Sequence, residues 1–411
     1  MTYRLKLSLL IFLFSLTSAL AQIQVGADQW CQIKKHTEGK RVGITLNHTS
    51  VLSDSEHTHL LDFLLDKEVN ITKLFTPEHG FRGIVDAGKK VKSGRERASG
   101  LPIISLYGNN KKPKRSELQD IDVMLFDLQD VGARFYTYIS TLYYVLEACA
   151  EANIPVVILD RPNPHDIVDG FVLEDKKYRS FVSLLPLPTL HGLTLGEAAL
   201  MMSGEGWLSN GIKAEVSVIR IIGWKHGDPY SLPVAPSPNL KSDRAILLYP
   251  TICFFEATSW SEGRGTQRPF EQIGYPNRKF GKNRFVPQSI EGAQNPKHKG
   301  RACYGPDLDN YDFKHGINLE IILDAAKVSR NYGVKFVDRI SFFNLLAGNG
   351  EFLQQINSGM SAEKIRESWQ PGLKQYHQIR EKYLLYPDHR YPYSDVPNII
   401  SNKEICSTHK K

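Results

Sequence analysis

The stretch VNITKLFTPEHGFRG, residues 69–83, joins a short apolar run to a Thr-Pro-Glu-His-Gly turn. Its β-branched and aromatic residues predict a buried strand over Val69–Phe75. Pro77 and Gly80 then favour irregular backbone directly after that strand. Three side chains in the turn suit acid–base chemistry or anion binding: Glu78, His79 and Arg82. Ligands of open parallel sheets bind beyond the carboxyl ends of strands, so the turn is a candidate functional site. A solvent-exposed ion pair between Glu78 and Arg82 is the structural alternative.

The same alternation of short apolar runs and helical patterns continues on both sides of this stretch. Further strands are predicted at Arg41–Leu46, Pro102–Leu106, Val123–Asp127, Pro155–Asp160 and Glu215–Ile222. Helices are predicted at Leu60–Leu65, Ser140–Ala152 and Leu195–Ser203, the last opened by a Thr194/Glu197 capping box. Continuous apolar strands that alternate with helices predict an α/β fold with a Rossmann-like, mostly parallel sheet and helices on both of its faces.

The composition changes near Tyr249. The segment 254–266, FFEATSWSEGRGT, is aromatic and glycine-rich, and Pro269–Pro306 is basic and poor in helix formers. Beyond it the pattern returns to helix, including Glu363–Trp369 and Leu373–Leu385, with a possible strand at Val334–Val337. The predicted organisation is a Rossmann-like catalytic domain over residues 22–245 and a smaller C-terminal α+β domain over residues 246–411 that completes the cleft.

Residues 1–21 have the organisation of a cleavable signal peptide. Arg4 and Lys6 precede an apolar run, Leu7–Leu16, and the small-residue triplet Ala19-Leu20-Ala21 follows. The run is shorter than the roughly 20 residues that a membrane span needs. We therefore expect export, a cut after Ala21, a periplasmic or secreted protein, and no stable membrane insertion.

Charge and cysteine content exclude several function classes. The net charge of +7 is spread along the chain without a long Lys/Arg block, which argues against nucleic acid and suits an anionic small ligand or a cell-wall polymer. The five cysteines form no CxxC motif, although a Cys253–Cys303 disulfide is permitted. The first strand ends in NHTS rather than GxGxxG, and no GxSxG elbow occurs. The sequence predicts neither a metal site nor a cofactor.

Four of the five strands up to Asp160 end in polar sequence, and parallel strands bring these ends to one edge. Acid–base chemistry by carboxylates is what remains, with Glu78 best placed. Asp130, Asp160 and Glu262 are possible partners, and Asp130 is the predicted second catalytic residue. Candidate substrate-binding residues are Asn47, His79, Arg82, Gln129, Arg134, Tyr136, Tyr138, Asn163, His191, Asn239, Glu262 and Arg264. One of the two tyrosines is expected to pack in the core, because alternate strand positions face opposite ways.

Several of these strings occur together in one family. LFTPEHGFRG, DLQDVGARFYTYIS, LDRPNP, LPTLHGLTLGE, APSPNL and EGRGT, in this order, resemble the exo-β-N-acetylmuramidase (NamZ-type) family from about Val25 to Tyr386. The resemblance implies release of terminal N-acetylmuramic acid from the non-reducing end of peptidoglycan fragments. It also implies a Rossmann-like domain with a smaller partner domain, and a catalytic glutamate at Glu78.

Glycoside hydrolysis needs a carboxyl group that protonates the leaving oxygen, a role that Glu78 fits. N-acetylmuramic acid carries a lactyl carboxylate, for which Arg82, Arg134 and Arg264 are candidates, and Arg134 is the predicted partner. Two other classes stay open at this point: a peptidoglycan-binding protein without turnover, and an amidase or peptidase that acts on peptide stems. Retaining, inverting and substrate-assisted mechanisms also stay open.

Overall fold

The computed structural model describes residues 23–83, 93–311, 313, 316–388 and 390, so the predicted signal peptide lies outside the described residues. The strands are β1 (Val42–Leu46), β2 (Ile71–Thr76), β3 (Gly94–Arg95), β4 (Pro102–Ser105), β5 (Val123–Asp127), β6 (Val156–Leu159), β7 (Val168–Asp169), β8 (Leu190–His191), β9 (Val216–Ile219), β10 (Asn283–Phe285) and β11 (Cys303–Gly305). The helices are α1 (Trp30–Thr37), α2 (Leu60–Asp66), α3 (Tyr138–Ala152), α4 (Leu195–Gly204), α5 (Asp243–Ile252), α6 (Leu319–Asn331), α7 (Ile340–Ala347), α8 (Glu351–Ser358) and α9 (Ala362–Arg380).

Seven strands form the main sheet in the order β3-β4-β2-β1-β5-β6-β9. All neighbours pair in parallel except β3, which runs antiparallel to β4. Numbered along the chain, the six parallel strands have the order 3-2-1-4-5-6 of the doubly wound dinucleotide-binding fold. The predicted α/β class and Rossmann-like sheet are confirmed.

Both faces of the sheet are covered by helices, as β5 illustrates. Successive side chains of a strand point to opposite faces. Val123 and Leu125 join the apolar cluster that includes residues of α1 and α2, whereas Met124 and Phe126 join the cluster of α3 and α4. All five residues of β5 are buried. A strand that is buried on both faces explains why the sequence reads as a continuous apolar run.

The position of β2 in the sheet places the turn that follows it at the carboxyl edge, where parallel sheets bind their ligands. β2 lies between β1 and β4 and runs parallel to both. The turn that follows Thr76 is therefore flanked by the segments that leave β1 and β4. Residues 107–111 follow Ser105, the last residue of β4, and therefore begin at this same edge of the sheet.

Three details of the C-terminal half differ from the sequence-based predictions. Val334–Val337 is not a strand; Val337 makes only an isolated bridge with Thr258. The two helices predicted around Pro371 are one helix, α9, because Trp369, Leu373 and Tyr376 bury one continuous face on either side of the proline. Cys253 and Cys303 are both buried free thiols, so the permitted disulfide is absent.

None of the helices in the described ranges is long and apolar enough to cross a membrane.

A buried charged cluster links α4 to the loop after β9. His226 contacts Asp166 through Nδ1 at 2.6 Å and Glu197 through Nε2 at 2.9 Å. Burial would lower the pKa of His226, but the two carboxylates outweigh it and raise the pKa from 6.5 to about 9. The folded state therefore holds a protonated imidazole at neutral pH.

This cluster predicts a pH-dependent stability. A raised pKa in the folded state gives stability that is complete below about pH 6.5 and is lost as the pH rises through about 9. The loss attributable to His226 should approach about 3 kcal/mol of the free energy of unfolding. Denaturant unfolding of the wild type and of His226→Gln should be measured at about pH 6 and about pH 10, on either side of this titration. If the two proteins differ by the same amount at both values, His226 is not charged in the folded state.

Candidate active site

A cavity of about 740 Å³ lies at the carboxyl edge of the sheet. Its walls come from the turn after β2, the segment after β4, the residues before α3, and parts of the C-terminal half. The volume is within the range of small-molecule sites. Six of the predicted site residues line it: Glu78, His79, Tyr136, Tyr138, Glu262 and Arg264.

Glu78 is held at the start of α3. The residue is only 8% exposed, and Thr137 Oγ1 donates a hydrogen bond of 2.8 Å to its Oε2. Thr137 immediately precedes α3 and also lines the cavity. The end of β2 and the start of α3 together orient one carboxyl group toward the space where a ligand would bind.

The backbone of this turn is strained at a non-glycine residue. His79 has a φ of 70°, in the left-handed region that side chains rarely adopt, and Gly80 follows with a φ of 74°. A conformation of this kind costs roughly 1–3 kcal/mol and is concentrated at functional sites. His79 is buried and lines the cavity, so the strained turn places an imidazole beside the Glu78 carboxyl group.

Tyr136 and Tyr138 both line the cavity. Their rings meet edge to face with centroids 4.8 Å apart, and both hydroxyls donate to the Pro236 carbonyl, at 2.7 and 3.2 Å. Burial raises the pKa of each phenol. Both rings also belong to the main apolar cluster, and Tyr138 is only 1% exposed, so the predicted core packing of one tyrosine is seen. The alternation of strand positions is not its cause, because the two residues lie in the turn before α3 and at its first residue.

The opposite wall carries two carboxylates and two cations. Arg264 donates to Glu256 at 2.8 Å and lies 3.4 Å from Glu262, while its guanidinium covers the ring of Phe270. Burial would lower the pKa of Arg264, but the two carboxylates outweigh it and raise the pKa. Lys297 Nζ lies 3.3 Å from the other oxygen of Glu262. This wall is therefore a pre-formed chain of alternating charges.

Eight predicted site residues do not line the cavity: Asn47, Arg82, Gln129, Asp130, Arg134, Asn163, His191 and Asn239. All but Arg82 are buried, and Asn47 and Asn239 support the cavity wall from behind. Asn47 donates to the Tyr138 hydroxyl at 2.7 Å, and Asn239 donates to the carbonyl of Gly292, which does line the cavity. Arg82 points away, 70% exposed, and pairs with Glu96 at 3.2 Å.

Asp130 shapes a turn rather than the cavity. Its Oδ2 accepts a hydrogen bond from the Gly132 amide at 2.7 Å and lies 3.6 Å from His191 Nε2. Gly132 has a φ of 78°, and Asn163 packs so closely against it that a Cβ would collide. Gln129 bridges the carbonyls of Asp130 and Pro162. The structure does not bring Asp130 to the place proposed for a second catalytic carboxylate, nor does it bring Asp160, which is buried and bonded to Thr194, Gly196 and Tyr386.

Arg134 is a structural residue, which corrects its predicted role as the carboxylate partner. Its guanidinium is buried and donates to four backbone carbonyls, those of Phe171, Leu187, Leu346 and Ala347, at 2.5–3.1 Å. Burial lowers its pKa to about 9. Arg134 also forms no ion pair with Asp130, four residues earlier, which would be the other structural role open to it. Arg134 ties the end of α7 to the Rossmann-like part instead of contacting a ligand.

Sequence reasoning missed several residues that line the cavity: Tyr107, Asn109, Lys111, Phe181, Tyr249, Glu256, Lys297, Arg339 and Phe342. Tyr107 to Lys111 follow β4, so the rule about carboxyl ends of parallel strands could have found them. Glu256 lies in the aromatic, glycine-rich segment already singled out by its composition. Arg339 and Phe342 carry no local signal, because only the packing of α7 brings them to the cavity.

Two family models cover most of the chain. The model described as "Exo-beta-N-acetylmuramidase NamZ, N-terminal" matches residues 42–244, and the corresponding C-terminal model matches residues 247–386. The chain is 36% identical over 394 residues to the peptidoglycan beta-N-acetylmuramidase NamZ of Bacillus subtilis (strain 168), which covers 90% of this chain and 93% of that protein.

Two crystal structures of DUF1343 family proteins from Bacteroides fragilis NCTC 9343 are also similar. One is 39% identical with a TM-score of 0.80 and covers 90% of this chain and 100% of its own. The other is 29% identical with a TM-score of 0.73 and covers 89% and 99%. Sequence and fold agree along nearly the whole chain, and the protein therefore belongs to the exo-β-N-acetylmuramidase NamZ family.

Proposed function

We propose that this protein is an exo-acting glycoside hydrolase that releases terminal N-acetylmuramic acid from the non-reducing end of peptidoglycan fragments, and that Glu78 is its general acid. Family membership supports the reaction class. The observation that supports the residue is the buried Glu78 carboxyl group in the wall of the cavity, oriented by Thr137 at 2.8 Å. Export of the protein to the periplasm or medium, after cleavage at Ala21, is part of the same proposal.

In this mechanism the C1–O bond of the terminal sugar breaks while Glu78 donates its proton to the leaving oxygen. The tyrosine pair supplies aromatic surface to a sugar ring, and the amides of Asn109, Gln294 and Asn295 line the same cavity and can bond its hydroxyl and acetamido groups. A water molecule forms the new bond to C1 and gives one proton to a carboxylate, which balances the proton donated by Glu78. The strained His79 beside Glu78 is a further polar contact for the ligand.

A second carboxylate is available only from the opposite wall among the described cavity-lining residues. Glu262 is paired with both Arg264 and Lys297, whereas Glu256 pairs with Arg264 alone. The Glu256 side chain is also 23% exposed, against 4% for Glu262, so water or a ligand can reach it more easily. Glu256 is therefore our candidate for the second group, in place of Asp130.

The reaction is tested with two disaccharides of opposite order. We expect free N-acetylmuramic acid from the disaccharide that carries it at the non-reducing end, and no cleavage of the isomer with N-acetylglucosamine at that end. Separation of the products by mass spectrometry reports the result. Binding without product would favour a peptidoglycan-binding protein, and release of peptide from a muropeptide would favour an amidase or peptidase.

A further inference from the structure

We propose that Lys111, assisted by Arg339, binds the lactyl carboxylate of the terminal N-acetylmuramic acid. This inference rests on the proposed function and names the residues that select its substrate. In the described part of the chain, four cationic side chains line the cavity: Lys111, Arg264, Lys297 and Arg339. They differ in how many of their donors are already used.

Lys297 has no donor left for a ligand. Its Nζ donates to the carbonyls of Phe255, Thr258 and Trp260 at 2.6, 2.8 and 3.0 Å. An ammonium group has three hydrogens, so these bonds account for all of them. Lys297 holds the loop 255–260 in place.

Arg264 is neutralised by its neighbours. Two carboxylates, Glu256 and Glu262, lie within 3.4 Å of its guanidinium, and one face of that group is covered by Phe270. A third carboxylate at this position would be repelled by the two already present. Arg264 is therefore a poor site for an anionic substituent.

Lys111 and Arg339 are different. The Lys111 ammonium lies 4.8 Å from the ring centre of Phe181, and the Arg339 guanidinium lies 4.4 Å from that of Phe342. Within the described part of the chain, neither side chain forms a salt bridge or a hydrogen bond. A phenyl ring orients a cation but accepts little of its hydrogen-bonding capacity, so the donors stay available to a ligand.

The charge balance of the cavity favours an anionic ligand. Among the described residues that line it, four cations face three carboxyl groups, those of Glu78, Glu256 and Glu262. If Glu78 is protonated for catalysis, the excess of positive charge increases further. One ligand carboxylate would reduce that excess.

Lys111 also lies at a position where it would contact a substituent of the sugar ring rather than the glycosidic bond that is cleaved. Phe181 stacks on Tyr144 of α3. Tyr144 lies seven residues after Thr137, the residue that donates a hydrogen bond to Glu78. Seven residues correspond to about 10 Å along a helix axis. This separation is compatible with a sugar ring whose C1 lies at Glu78 and whose lactyl group extends toward Phe181. Lys111 is half-buried and Arg339 is exposed, so Lys111 should contribute more.

The test compares a chromogenic N-acetylmuramic acid glycoside with its lactyl methylamide, which has nearly the same shape but no charge. We expect Lys111→Met to lower kcat/KM on the acid about 10-fold, mainly through KM, and Arg339→Met to lower it about 3-fold. Both variants should change the methylamide less than about 2-fold, and Lys111→Arg should recover most of the activity on the acid. Equal losses on both glycosides, or no loss on either, would overturn the inference.

A matched control separates local binding from general electrostatic attraction. Arg278 and Lys279 also lie over tyrosine rings, at 6.0 and 5.3 Å, but neither lines the cavity. The double variant Arg278→Met/Lys279→Met removes the same charge as Lys111→Met/Arg339→Met and should leave both kcat/KM values unchanged. A loss of the same size in the control would attribute the effect to the net charge of the protein.

Two measurements keep this inference distinct from the proposed function. Calorimetric binding of free N-acetylmuramic acid and of N-acetylglucosamine to the wild type and to Lys111→Met needs no turnover. If the wild type releases no sugar, the proposed function fails, but a selective loss of muramic acid binding still supports Lys111. If Lys111→Met does not fold, the wild type alone decides: added salt should raise KM for the acid and leave that for the methylamide unchanged, and no difference would overturn the inference.

Discussion

Replacing Glu78 by Gln is expected to lower kcat on a muramyl glycoside by about 10²- to 10⁴-fold while leaving fold and sugar binding intact. The amide is nearly isosteric with the acid and can still accept the hydrogen bond of Thr137, but it cannot donate a proton to the leaving oxygen. Steady-state kinetics measure kcat on the disaccharide that carries N-acetylmuramic acid at its non-reducing end, because its sugar leaving group needs the proton. Binding of free N-acetylmuramic acid checks the site.

Glu256→Gln is the matched comparison, since it removes the carboxyl group that we propose as the second catalytic group from the same cavity. A smaller loss in Glu256→Gln that is the same for good and poor leaving groups would assign Glu256 to a later step, after the leaving group has departed. Near-normal kcat in a folded Glu78→Gln protein would transfer the general acid role to Glu256.

The second large effect concerns stability. Arg134→Met should lower the free energy of unfolding by at least about 3 kcal/mol, because it leaves four buried carbonyl oxygens without their donor. Denaturant unfolding followed by tryptophan fluorescence measures the change. In the protein that remains folded, kcat/KM should fall equally on the muramic acid glycoside and its uncharged methylamide.

Arg82→Met is the control for this change. Arg82 is exposed and its pair with Glu96 should contribute less than about 1 kcal/mol. A selective loss on the charged glycoside in Arg134→Met, with unchanged stability, would restore Arg134 as the carboxylate partner and contradict its four backbone contacts as its main role.

The sequence predicted those strands and helices whose formation depends on residues close together in the chain. The apolar run Val123–Asp127 predicted β5 to the residue, and the Thr194/Glu197 capping box predicted the start of α4, with Thr194 Oγ1 accepting from the Glu197 amide at 3.2 Å. Burial on both faces produces an apolar run, and a cap is formed by residues three positions apart. Both signals survive without knowledge of the rest of the chain.

The wrong predictions for Arg134 and Asp130 also share one cause. Arg134 and Asp130 lie in the same polar segment as the two tyrosines, and sequence position alone could not separate residues that line the cavity from those behind it. The carbonyls that bind Arg134 come from three distant segments, up to 213 residues away. A guanidinium that serves a ligand and one that serves four carbonyls look the same in the sequence.

The sequence by itself determined the α/β class, a strand before the Thr-Pro-Glu-His-Gly turn, the candidate acid Glu78 and the resemblance to its family, because each depends on neighbouring residues or on a string of them. Only the tertiary structure decided which polar groups share the cavity. That outcome depends on how the residues from Tyr249 onward pack against the edge of the sheet. This packing brings Glu256 and Arg339 into the lining of the same cavity as Lys111, and it buries Arg134. Donor use, burial and opposing charge are properties of that packing, so they distinguish the cations available to a ligand from those already committed to the fold.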